Sequence, residues 1–88
     1  MTDEEYLKFV MEPENRHVLE LLKRKDDRAR QKHPVFAEGI YQGFGRIGEE
    51  YGEVCQAMNH GENNERIEAE AMDLLVVAWR FVRGDYRQ

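Results

Sequence analysis

From Ile40 to Met58 the apolar residues Ile40, Phe44, Ile47, Tyr51, Val54 and Met58 recur in steps of 4, 3, 4, 3 and 4. That spacing draws a narrow stripe along one face of an α-helix and does not fit the two-residue period of a strand. A helix marked in this way is built to pack on another helix. The rest of the chain agrees, with only two prolines and few, scattered β-branched residues. The expected fold class is all-α, an antiparallel helical bundle. Its 88 residues make one domain, residues 1–88. A domain of this size buries a modest core alone, so completion by self-association is expected.

Helix boundaries can be read from local chemistry. Thr2 and Glu5 form a capping-box pattern ahead of Tyr6, Leu7, Phe9 and Val10. Pro13 ends that first helix and suits the first turn of a second, expected over about 14–32 with Val18, Leu19, Leu21 and Leu22 buried. The His33-Pro34 pair breaks it. A third helix is expected over about 35–58. Gly39, Gly43, Gly45 and Gly48 lie in its first half, where each mid-helix glycine costs up to about 1 kcal/mol. They imply a close backbone approach, a kink, or a start near Phe44. Asn59 to Asn64 reads as a tight turn with Asn64 as N-cap, and the fourth helix runs over 65–83 until Gly84 stops it. Leu74 to Trp79 is apolar on every side, which points to burial against a partner subunit.

Charge narrows the function. The net charge is −5, which lacks the broad basic footprint of a nucleic-acid polymer binder. The charge is uneven. Leu21 to His33 holds six Lys/Arg against two Asp, a local +4, and Glu49 to Asp73 holds eight acids against Arg66, a local −7. The basic stretch reads first as a solvated helix face that could also meet phosphates. Cys55 is the only cysteine, which favours a reducing compartment. No run is long enough to span a bilayer, so no membrane partner is expected and the expected location is cytoplasmic.

The acids of the second stretch carry the chemistry. Glu50 and Glu53 stand three apart, as do Glu70 and Asp73, with 16 residues between the pairs. Each pair shares a helix face, and the short turn makes the two helices antiparallel neighbours. Four carboxylates then gather, and their mutual repulsion is relieved by a hard divalent cation, which takes oxygen ligands. Solvated faces are the plain alternative. Against it, apolar Ile47, Tyr51, Val54, Met72 and Leu74 interleave with the acids.

Glu49-Glu50-Tyr51-Gly52-Glu53 followed by Glu70-Ala71-Met72-Asp73 resembles the signature of the MazG-like all-α nucleoside triphosphate pyrophosphohydrolases, E-E-x-x-E, a spacer and E-x-x-D. The resemblance covers residues 41–82, about half the chain. It implies a homodimer or homotetramer with Mg²⁺, or Mn²⁺ in its place, held by Glu50, Glu53, Glu70 and Asp73. It also implies hydrolysis of a (deoxy)nucleoside triphosphate to the monophosphate and pyrophosphate. Glu49 matches the first acid of the motif and would orient or deprotonate the attacking water. The Lys and Asn that some members place after the motif to hold phosphates are missing. Arg80, two turns beyond Asp73 on the same face, is the candidate phosphate contact. Two alternatives are weighed: a di-iron or di-manganese carboxylate bundle, for which only Glu14-Asn15-Arg16-His17 has an E-x-x-H pattern, and a non-enzymatic helical regulatory or assembly module.

Overall fold

The computed structural model describes residues 1–87. Among them are four helices and no strands: α1 (Asp3–Val10), α2 (Pro13–Lys32), α3 (Ile40–Asn59) and α4 (Asn64–Val82). The all-α expectation holds. The Thr2 hydroxyl accepts from the Glu5 amide at 3.1 Å while Glu5 accepts from the Thr2 amide at 3.2 Å, so both halves of the capping box form. Pro13 opens α2, and the Asn15 side chain donates to the Phe9 carbonyl at 2.6 Å to fix the α1–α2 corner. Asn63, one residue earlier than expected, caps α4 by accepting from the Arg66 amide.

The stretch Val35–Gly39 is a loop, where helix was expected. Its apolar residues have another use: Phe36 and Ala37 are buried, and Phe36 lies under the Arg80 guanidinium, 5.1 Å from ring to charge. Gly39, at φ +98, then turns the chain into α3 through a conformation that side-chain-bearing residues rarely adopt. Gly43 answers the close-approach expectation. A Cβ there would stand 3.1 Å from Phe81 and 3.3 Å from Phe36, whereas Gly45 and Gly48 face open space.

α3 and α4 form the main contact, an antiparallel hairpin in which Gly43 meets Phe81 at one end and Glu53 nears Glu70 towards the other. α2 packs more lightly on α4, and α1 touches only α2. The core is small: Phe36, Ala37, Ala57 and Val76 are its buried apolar residues. No residue of α2 is fully buried; Leu21 and Leu22 are half-buried, and Val18 and Leu19, expected inside, are exposed. The reason is geometric, since α2 has only one neighbour along most of its length.

The apolar stripe of α3 divides in the same way. Ile47 and Val54 are half-buried, while Phe44 and Tyr51 remain 68% and 62% exposed. In the all-apolar stretch of α4, Val76 is buried and Leu75 and Trp79 stay exposed. Among the described residues no helix is long and apolar enough to cross a membrane.

Candidate metal centre

The hairpin brings three of the four expected ligands together and leaves Asp73 outside the converging set. Glu50, Glu53 and Glu70 each offer a carboxylate oxygen, and these lie within 4.8 Å of one another. Glu70 is buried, Glu50 half-buried and Glu53 exposed, so the group opens at one side. Burial pushes the Glu50 carboxyl up to about 7, helped by the charges of Glu53 and Asp73, a hydrogen bond with Glu53 and the charge of Glu70. Near neutrality Glu50 therefore gives up its proton less readily than an ordinary carboxyl. Like charges packed this closely favour a proton or a metal ion between them.

The donor set is all carboxylate oxygen, with no imidazole or thiolate. That chemistry fits Mg²⁺ or Mn²⁺ and disfavours the softer metals. Asp73, the fourth expected ligand, is half-buried beside the group and faces α2, where Lys25 Nζ lies 2.8 Å from its Oδ1. Arg66 Nη2 lies 2.6 Å from Glu70 Oε1, one turn away on α4. Internal cations thus neutralise two acids of the set; the i,i+4 spacing of Arg66 and Glu70 allows the second pair, whereas no spacing reveals Lys25 beside Asp73.

Two hollows flank the acids. Between α2 and the hairpin lies a cavity of about 500 Å³; the hairpin lines it with Glu49, Glu50 and Asp73 together with Arg46 and Arg80, and α2 lines it with Lys25, Arg28 and Lys32. A smaller hollow of about 350 Å³ is bordered by Glu53, Glu70 and Arg66. Glu49 is exposed at the cavity rim, with Arg46 Nη1 3.5 Å from its carboxylate. It is free of the carboxylate cluster, and it borders the space a ligand would fill.

Arg80 also borders that cavity, as part of its wall. It is 4% exposed; Nη1 donates to the His33 carbonyl at 3.2 Å, and Nε approaches Asp85 at 3.4 Å. Asp85 in turn accepts from Arg30 at 2.9 Å. Burial alone would raise the Asp85 carboxyl, but the Arg30 hydrogen bond and charge, with Arg80 and Arg83, hold it below its ordinary value. Through Nε and Nη1, Arg80 therefore helps join the end of α2, the 33–39 loop and the end of α4. Compared with protein families, curated proteins and solved structures, the chain matches none of them.

Proposed function

We propose that this chain is a Mg²⁺-dependent nucleoside triphosphate pyrophosphohydrolase of the MazG-like all-α type. The observation that carries this reading is the convergence of Glu50, Glu53 and Glu70 on facing helices, beside a cavity that α2 lines with bases. Glu50, Glu53, Glu70 and Asp73 would hold the ion, with Mn²⁺ as a substitute. When bound, the ion neutralises phosphate oxygens and favours attack at phosphorus. Glu49, at the rim, orients the water and takes its proton. The water oxygen bonds to the α-phosphorus, the bond from the α-phosphorus to the bridging oxygen breaks, and pyrophosphate leaves with that oxygen. The products are the nucleoside monophosphate and pyrophosphate.

Self-association belongs to the same reading. Tyr41, Phe44, Tyr51 and Met58 share one exposed face of α3, and a second copy of the chain is the occupant that would cover it. A homodimer or homotetramer follows. Burying such aromatics would supply the core that one copy lacks.

The test is pyrophosphate release from a panel of canonical and modified nucleoside triphosphates, with Mg²⁺ and with chelator. Glu50→Gln and Asp73→Asn are run beside the wild type, with helix content followed by circular dichroism. The expected result is chelator-sensitive release that falls at least roughly 100-fold in either folded variant, since even outer-shell changes at metal sites cost 10–100-fold. Full activity in a variant would overturn the site assignment. No release from any triphosphate would favour the non-enzymatic helical module, for which the internal Lys25 and Arg66 counter-ions already provide a metal-free resting state.

A further inference from the structure

α2 carries six bases between Lys23 and Lys32, and the fold sorts them. Lys23 pairs with Asp27 at 2.6 Å, and Arg30 pairs with Asp26 at 3.0 Å and Asp85 at 2.9 Å. Lys25 reaches across to Asp73 at 2.8 Å. Among the described residues, Arg24, Arg28 and Lys32 have no ion-pair partner, and of these Arg28 and Lys32 line the cavity. Lys25, Arg28 and Lys32 stand at i, i+3 and i+7, so they share one face of the helix. All three border the cavity, which Glu49, Glu50 and Asp73 of the hairpin also line. Like charges one turn apart repel, and an anion between them relieves the repulsion. The row covers about 10 Å of helix, which suits a chain of phosphates better than a single one.

Lys25 adds a second observation. It holds a carboxylate that the acid pattern assigns to the metal. Two cations on one carboxylate oppose each other, so a metal ion at Asp73 weakens the hold on Lys25. Its flexible stem can then carry the ammonium into the cavity.

We propose that α2 is the polyphosphate grip of this chain: Arg28 and Lys32 receive the anion, and Lys25 serves as the counter-ion of Asp73 until a divalent cation replaces it, then joins them. This rests on the metal-dependent reading above and assigns its substrate contacts. It replaces the phosphate ligands missing after the acid motif with residues that precede it. It also makes binding cooperative. Metal alone must displace Lys25, whereas metal with polyphosphate gives Lys25 a new partner, and the coupling is reciprocal.

The test is isothermal titration of the full chain with Mn²⁺ alone, and with tripolyphosphate in the absence and presence of saturating Mn²⁺. In Lys25→Met, Mn²⁺ alone should bind at least about threefold tighter, and the enhancement of tripolyphosphate binding by Mn²⁺ should shrink by a similar factor. Arg28→Met and Lys32→Met should each weaken tripolyphosphate binding about fivefold or more and leave Mn²⁺ affinity within about twofold. Lys23→Met, whose native partner is Asp27, is the control and should change neither. Equal or weaker Mn²⁺ binding by Lys25→Met would overturn the exchange. Unchanged tripolyphosphate binding in the Arg28 and Lys32 variants would overturn the grip. A wild type that binds no Mn²⁺ would overturn the metal-dependent reading and this inference with it. A wild type that binds Mn²⁺, with all three cavity-facing variants indistinguishable from it, would remove this inference alone.

Discussion

Arg66 Nη2 lies 2.6 Å from Glu70 Oε1 across one turn of α4, with the arginine side chain 61% exposed and the glutamate 10%. The pair is asymmetric: the acid is inside and its cation reaches in from solvent. Removing the cation leaves a buried carboxylate facing Glu50 and Glu53 with nothing to offset it. Arg66→Gln should therefore cost the metal-free protein about 1 kcal/mol, below the range for a fully buried pair because Arg66 is solvated. Saturating Mg²⁺ should narrow that gap, because the ion supplies the missing positive charge. Thermal melts of both proteins with Mg²⁺ and with chelator read this directly. A deficit that Mg²⁺ leaves unchanged would mean that the ion does not reach Glu70.

The raised Glu50 carboxyl ties stability to pH in an unusual direction. Folded, it titrates at about 7; in the unfolded chain it returns to the ordinary 4.5. Between those values the native protein keeps a proton that the unfolded chain has lost, so raising the pH favours unfolding. The contribution is fully present below about 4.5 and is lost as the pH passes about 7. With solvent screening at a half-buried site, its size is on the order of 2 kcal/mol. Urea titrations of metal-free protein across that window should show stability falling with pH. Glu50→Gln should flatten the dependence and be the more stable protein above the window. Mg²⁺ affinity should rise through the same range, because the proton and the ion compete for one carboxylate. A pH dependence identical in wild type and variant would remove Glu50 as its source.

Helix ends were legible because their signals are local. Thr2 with Glu5, Pro13, and His33 before Pro34 each act within a turn of the backbone. The meeting of Glu50, Glu53 and Glu70 was legible for a related reason, since helical period and a short turn determine which faces oppose. The Lys25–Asp73 pair was not. It joins residues 48 positions apart through the tilt of α2, and no periodicity encodes that tilt. The 35–39 loop was misread because apolar residues say that a segment is buried, not that it is helical; Phe36 is buried under Arg80 from an irregular backbone. The stripe of α3 carried a comparable ambiguity. It marks a face that packs, and in one copy only Ile47 and Val54 of that stripe are half-buried.

Arg80 offers a clean separation of structural and substrate roles. Its guanidinium is buried between the Phe36 ring, the His33 carbonyl and Asp85. Arg80→Met keeps the stem and removes the charge, leaving Asp85 with Arg30 and Arg83 and the carbonyl without this donor. The expected cost is about 3 kcal/mol of stability, as for the loss of one member of a buried ion-pair network. The readout is chemical unfolding in the absence of any nucleotide. A variant as stable as wild type that lost only triphosphate affinity would instead place Arg80 at the phosphates.

Exposed aromatic residues on α3 make the assembly state a sharp test. Tyr41, Phe44 and Tyr51 are 90%, 68% and 62% exposed, on a face that also carries Gly48 with open space above it. Gly48 allows close approach of a second helix where a side chain would hold it off. Burial of one such aromatic contributes about 1.5–3 kcal/mol, so Phe44→Glu should weaken self-association by roughly 30-fold or more. Sedimentation and light scattering across a dilution series should show a wild-type dimer or larger assembly and a variant shifted towards monomer. Helix content should be unchanged, because Phe44 is mostly exposed within one copy. A wild type that remains a compact, stable monomer at every concentration would refute the self-association reading, and the apolar face of α3 would then need a different partner.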